Sequence, residues 1–300
     1  MYVLSGFTDE AGDTIEEQIR AVRKLGWNHL ELRSIEGKNA HDISEEDFDR
    51  VRKVLDKAEV GVSCFGSNIA NWGTPIETPF EQTLETLNRV IKRAKKLPTR
   101  YVRIMSYAVR VDENGLVLDD QKVAERIERL RIIAGELLEN ELTPVHENCF
   151  NYGGMSWRHS LELAEKIPGL KFAYDTGNPA LQYDYSASGS LKKQSPWEFY
   201  SNIKPHIAYV HIKDAGLDED RGEEQYYFPG DGESEVVPVV RDLLNNGYEG
   251  TFSIEPHMAV VYHDASVTSE KEVRFSNFVE YGRRFMKLLE ETGAPNKMEP

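Results

Sequence analysis

Four short apolar runs in the second half of the chain each end in a residue that can ligate a metal or move a proton. They are Thr143-Pro144-Val145-His146-Glu147, Leu170-Lys171-Phe172-Ala173-Tyr174-Asp175, Ala208-Tyr209-Val210-His211 and Thr251-Phe252-Ser253-Ile254-Glu255. Successive strand side chains point to opposite faces, so Val145 and Glu147 share one face and His146 takes the other. An ionised glutamate facing a packed interior is costly unless something pairs with it. Two Glu, one Asp and one His make an oxygen-rich set with one imidazole. That set suits Mn2+ first, with Mg2+ or Co2+ as alternatives and Zn2+ left open; a structural zinc site would favour cysteine. The expectation is that Glu147, Asp175, His211 and Glu255 converge on one divalent ion. One carboxylate at a strand end is ordinarily an exposed loop residue; recurrence on four consecutive strands carries the expectation.

The elements that must position these residues alternate strictly. Strands are expected over 2–7, 29–33, 62–66, 101–105, 143–147, 171–174, 207–212 and 251–254. Helices are expected over 14–24, from Ser44 onward, and over 80–97, 120–139, 156–166, 236–245 and 270–289. Ile15, Ile19 and Val22 recur at helical spacing in the first helix. Ser44 with Asp47 marks the start of the second, whose apolar stripe is Phe48, Val51, Val54 and Leu55. Strict alternation implies a parallel sheet, and about eight units of this size predict a single-domain α/β fold, the (β/α)8 TIM barrel. The barrel domain is expected over residues 1–293, with 294–300 a loose tail. An open nucleotide-binding sheet would need a Gly-rich turn after its first strand, and Gly6-Phe7-Thr8-Asp9 is not one. Connections into strands are short. Those leaving strands are long (67–79, 106–119, 179–195, 214–233 and 258–269) and crowd the C-terminal face, where barrels carry their sites.

Composition narrows the partners. A formal net charge of -15 argues against a polyanion, because nucleic-acid sites neutralise phosphates with Lys and Arg. No stretch approaches about 18 uninterrupted apolar residues, so no membrane span is expected. The start carries no signal-peptide pattern, and Cys64 and Cys149 form no CxxC motif. Both cysteines are read as small buried hydrophobes, and the protein as cytoplasmic.

The chain resembles the xylose isomerase-like TIM barrel family, also called the sugar phosphate isomerase/epimerase superfamily, from Tyr2 to about Leu289. The matching pieces are HEN at His146 to Asn148, DTGN at Asp175 to Asn178, HIKD at His211 to Asp214, PGDGE at Pro229 to Glu233, and IEPH at Ile254 to His257. The resemblance implies Glu147, Asp175, His211 and Glu255 as metal ligands, with Glu147 and Glu255 sharing the acid-base work. It implies a divalent-metal-dependent isomerase or epimerase acting on a ketose or keto-polyol. The metal would polarise the carbonyl and stabilise an enediolate while one carboxylate removes a proton and another returns it. Loss of a β-hydroxyl instead would make a dehydratase or lyase, on an inosose or 3-keto-glycoside. A homo-oligomer is left open.

The sequence departs from the family's sugar epimerases at three positions. Asn178 stands where they carry His, Leu217 where they carry Arg, and Gly153 where they carry Glu. Lys213 and His257, which share parity with His211 and Glu255, are candidate substrate contacts, as are Asn178 and Arg103. His146 should face away from the lumen and is read as a packed side chain. Glu31, Arg33 and Arg103 are read equally as a buried salt-bridge layer and as substrate contacts. Trp72, Tyr107, Tyr183, Tyr185, Tyr226, Tyr227 and Phe228 are placed in loops over the mouth, and Asp9-Glu10 at a helix N-cap region. The run at 218–220 with Glu223-Glu224 is read as a solvated loop. An apurinic endonuclease would need further His ligands and a basic face. A non-catalytic sugar-binding barrel with a structural metal is the reading from another class.

Overall fold

In the computed structural model, which describes residues 2–186, 191–218, 221–261, 264, 266–267 and 269–292, eight parallel strands form one ring. They are β1 (Val3–Gly6), β2 (His29–Leu32), β3 (Gly61–Ile69), β4 (Tyr101–Ile104), β5 (Thr143–Glu147), β6 (Lys171–Asp175), β7 (Ile207–Ile212) and β8 (Thr251–Ile254). From β2 to β8 each strand pairs with its sequence neighbour, and β8 returns to pair with β1 from Val3↔Thr251 to Gly6↔Ile254. Between β1 and β2 the ring closes through one bridge, Phe7↔Glu31. The predicted tail, 294–300, lies outside the described residues.

The helices are α1 (Ile15–Lys24), α2 (Glu45–Ala58), α3 (Phe80–Ala94), α4 (Val123–Glu139), α5 (Trp157–Lys166), α6 (Pro196–Ile203), α7 (Val236–Asn245) and α8 (Lys271–Glu291). Local chemistry starts several of them. Thr14 caps α1 by accepting from Glu17 N, and the Glu17 carboxylate accepts from Thr14 N, a reciprocal capping box. Ser44 caps α2 by accepting from Asp47 N. The eight residues of α6 are too few to show a helical period, and the sequence reading leaves them unassigned.

Strand parity sorts the side chains as expected. Val145 packs inside the ring with Cys64, Ala173 and Tyr209. His146 points outward, edge-on to Phe172, with Nε2 2.9 Å from Ser106 Oγ. Both cysteines are buried and free.

Two expectations about loops change. Residues after β7 form an antiparallel hairpin, Asp214–Asp218 with Glu223–Tyr227, where a solvated loop is expected; 219–220 lie outside the described residues. Its weak apolar alternation hides it from the sequence. Tyr107, expected over the mouth, is fully buried and packed in the core, with its backbone in the left-handed region at a φ of 67°.

Candidate metal centre

The C-terminal ends of β5, β6 and β7, with the residue after β8, bring Glu147, Asp175, His211 and Glu255 together. One ligand atom from each lies within 4.8 Å of every other. All four are buried. The motif residues around them serve to hold them. Asn148 pairs its side-chain amide with the Asp175 backbone, donating to Asp175 O at 3.0 Å and accepting from Asp175 N at 2.7 Å. Thr176 Oγ1 donates to Lys213 O and accepts from Lys213 N, tying the end of β6 to that of β7. A Cβ at Gly177 would sit 2.7 Å from Lys213 Cγ, so only glycine lets Lys213 pass. Asp214 accepts from the backbone N–H of Gly230, Gly232 and Ser234, which anchors the PGDGE segment.

Asp175 shows how one ligand is aimed. Its Oδ1 accepts from Gly177 N at 2.9 Å and Asn178 N at 2.7 Å. Its Oδ2 makes no hydrogen bond, although Lys213 Nζ lies 3.0 Å away. His211 Nδ1, also buried without a hydrogen bond, is 4.0 Å from Asp175 Oδ2 and 3.5 Å from Glu147 Oε1. Two atoms ligating one ion at about 2.1 Å lie roughly 3–4 Å apart. Two buried orphan ligand atoms at such a spacing, flanked by two carboxylates, fit a divalent ion.

A shell of charges surrounds the four. His211 Nε2 lies 3.1 Å from Glu31 Oε2, which also accepts from Ser253 Oγ at 2.7 Å. Arg103 Nη1 donates to Glu147 Oε2 at 2.8 Å. Arg33 Nη1 donates to Glu255 Oε1 at 2.8 Å, and the same guanidinium holds Asp9 through Nε and Nη2. Lys213 Nζ bridges Asp175 and Glu255, at 3.0 Å from each. His257 is clamped by Glu10, whose Oε2 accepts from its backbone N–H and whose Oε1 lies 2.9 Å from its Nδ1. Its left-handed φ of 54° is a strained conformation held by that clamp.

These neighbours set the ionisation. Burial would push the His211 ring down, but Glu31 and Glu147 outweigh it and raise it to about 10. Burial would raise Glu147, yet Arg103 and His211 bring it down to about 2. Against burial, Lys213, His257 and Arg33 hold Glu255 well below the usual carboxylate range. Burial lifts Asp175 to about 6, with Lys213 offsetting it only in part. The cluster thus carries more negative charge than its permanent cations balance, which is the setting a cation relieves.

Above the cluster lies a cavity of about 560 Å³, of the size that small-ligand sites occupy. Arg103, Asn178, Lys213 and His257 all line it, with Trp72 at its wall. Of the four metal-type residues, Glu147 and Glu255 line it, while Asp175 and His211 do not. The departures from the epimerase pattern have physical counterparts. A Cβ at Gly153 would meet His146 Cε1 at 2.3 Å, so the turn that holds it has no room for a carboxylate. Leu217 sits in the hairpin after β7.

Asp9 and Glu10 are not at a helix cap. They lie in a buried 3-10 turn, Thr8–Glu10, and Thr14 caps α1 instead. A local acidic pair before a helix reads as a cap; the strand-end rule, applied to β1, would have found them. Glu31 in β2 and Arg33 just after it are both in the buried ion-pair layer, and Arg33 and Arg103 also reach the cavity.

Comparison with known proteins agrees with this fold. The crystal structure of a xylose isomerase-like TIM barrel protein from Mycobacterium smegmatis, in complex with magnesium, superposes with a TM-score of 0.65 at 15% identity, covering 93% of this chain and 97% of that one. An L-ribulose 3-epimerase gives 0.67 at 16% identity, covering 97% and 95%. The probable 3-DHS dehydratase AsbF from Bacillus anthracis gives 0.63 at 14%, covering 92% and 97%. No curated protein matches the sequence. Among the described residues no helix is long and apolar enough to cross a membrane. Residues 19–276 match the xylose isomerase-like TIM barrel family, and the chain belongs to it.

Proposed function

We propose that this protein is a divalent-metal-dependent sugar isomerase or epimerase acting on a ketose or keto-polyol. The observation that carries the reading is the division of labour among four buried residues: Glu147 and Glu255 reach the cavity, and Asp175 and His211 lie behind them. Glu147, Asp175, His211 and Glu255 would hold the ion, Mn2+ first by its donor set, with Mg2+, Co2+ or Zn2+ as alternatives. When bound, the ion supplies Lewis-acid polarisation of a substrate carbonyl.

The side chains do the proton work. Arg103 fixes Glu147 by Oε2 alone, whereas Glu255 is held at both oxygens, Oε1 by Arg33 and Oε2 by Lys213, so both carboxylates are fixed in place at the cavity. Each is also held ionised, as a base must be. One takes the proton beside the carbonyl, and the other returns a proton to the same or the adjoining carbon. Lys213, which lines the cavity, is held between Asp175 and Glu255 and offsets the charge of both.

The test is a panel of free ketoses, keto-inositols and 3-keto-glycosides with Mn2+-loaded protein in deuterated buffer, read by NMR. Deuterium should enter the carbon beside the carbonyl, and chelation should stop it. Glu255→Gln should retain some metal and lose exchange by at least about 100-fold. Exchange undiminished in that variant removes Glu255 from the acid-base role, and elimination products in place of epimers would make the enzyme a dehydratase or lyase.

A further inference from the structure

The cavity over the metal cluster has an unusual balance of charge and of free donors. Three permanent cations line it, and each is committed to carboxylates of the protein. Arg33 is held by Asp9 and Glu255, Arg103 by Glu147, and Lys213 by Asp175 and Glu255. The buried network contains six carboxylates, those of Asp9, Glu10, Glu31, Glu147, Asp175 and Glu255. Against three permanent cations this leaves an excess of three negative charges, and a divalent ion would still leave one. Glu224 adds a carboxylate at the wall. A carboxylate or phosphate on a ligand needs charge-assisted donors of its own, and pulling one of these cations away would strand a buried carboxylate.

Two buried donors that lack a partner belong to residues lining this cavity. Asn178 is 2% exposed, lines the cavity, and its Nδ2 is buried with no hydrogen bond. Arg103, 5% exposed, also lines it, and its Nε is likewise without a partner, although the charge of its guanidinium is already matched by Glu147. Buried donors left unpaired cost free energy, and their presence beside a cavity marks where an acceptor is to be received. Asn68, Asn71 and Thr74 continue the lining with neutral polar groups, next to Trp72. Such a surface binds hydroxyls and a sugar face rather than an anion.

We infer that this cavity selects an uncharged, hydroxyl-bearing substrate over a carboxylate- or phosphate-bearing one, with Asn178 the specificity-determining donor to a substrate oxygen. The inference rests on the metal-dependent sugar reading and narrows its substrate. Asn178 is held in place independently of its side chain, because its backbone N–H donates to Asp175 Oδ1. Its amide can therefore be altered without disturbing the ligand beside it.

The experiment is calorimetric binding to Mn2+-loaded protein of two matched pairs, xylitol against xylonate and D-fructose against D-fructose 6-phosphate. Each neutral member should bind at least about 10-fold more tightly than its charged partner. Asn178→Ala should weaken the neutral members by about 3–10-fold, the worth of one hydrogen bond, at unchanged Mn2+ affinity and thermal midpoint. Asn178→Lys, which adds an uncommitted cation, should narrow or reverse the preference. Equal or tighter binding of the charged members by the unaltered protein overturns the inference whatever the variants do. So does an absence of neutral binding while Mn2+ is still bound. A retained neutral preference with no deuterium exchange on any ketose would instead sink the isomerase reading and leave the charge selection standing.

Discussion

Glu31 does not line the cavity, yet it decides which face of His211 can serve a metal. Both of its oxygens lie within 3.3 Å of His211 Nε2, and Ser253 Oγ donates to one of them. With Nε2 engaged, Nδ1 is the nitrogen presented to Asp175 and Glu147. A carboxylate behind a ligating histidine fixes its ring and tautomer, and losing it costs about 10–100-fold in metal affinity. Glu31→Ala should therefore weaken Mn2+ binding by that factor, and Glu31→Gln, which can still accept from Nε2–H, by less. Titration calorimetry measures both; wild-type affinity in the alanine variant would reduce Glu31 to lumen packing. Arg33 and Arg103 act on Glu255 and Glu147 in the same way, each by one oxygen. The buried carboxylates and imidazole of the four-residue cluster are thus held by side chains from β2, the residue after it and β4.

At the scale of elements, the connection after β7 carries the most structure. Asp214 opens its hairpin and accepts from Gly230 N, Gly232 N and Ser234 N, folding the PGDGE turn back on the strand end. Burial raises the Asp214 carboxyl against those three donors. Gly232 packs so closely that a Cβ would stand 2.4 Å from Asp214 Oδ1 and 2.7 Å from Tyr227 Cδ2. Gly232→Ala must displace one or the other, and overpacking of this kind costs about 1–3 kcal/mol. A lowered thermal midpoint is expected, and an unchanged one would mean that the turn shifts freely. The hairpin in turn seats Tyr226 beside His257, with ring centroids 5.3 Å apart, so the element reaches the cavity wall. Helix α1 shows the opposite economy: its start is fully specified by Thr14 and Glu17 within four residues.

For the whole molecule, acid stability follows from what the fold buries. His41 is fully buried, and burial pushes its ring down to about 4, with Asp42 offsetting only part. In the unfolded chain its pKa is about 6.5, so below that pH the unfolded state takes up a proton that the native state refuses. Stability should fall as pH drops from about 6.5 towards 4, at roughly 1.4 kcal/mol per unit for this one group. His41→Gln should flatten that limb by about 2 kcal/mol between pH 7 and pH 5, measured by urea unfolding with chelator present. Parallel pH profiles for the two proteins would show that the ring titrates normally.

Much of this molecule is written locally. Alternation with period two puts Glu147, Asp175 and His211 on the inner face of their strands and His146 on the outer one, because a strand leaves its side chains no other choice. Helix stripes and caps are equally local, which is why the eight-unit order and the four metal-type residues are legible in the chain. Partner choice is not. Arg33 meets Glu255 across 222 residues, Glu10 meets His257 across 247, and Glu31 meets His211 across 180. Near Asp9-Glu10 the one local hint of burial is their place after the end of β1, and their partners are fixed only when β8 comes back beside β1. Closure of the ring is a long-range event, so it alone decided which charges neutralise one another and which buried donors, such as Asn178 Nδ2, were left without a partner.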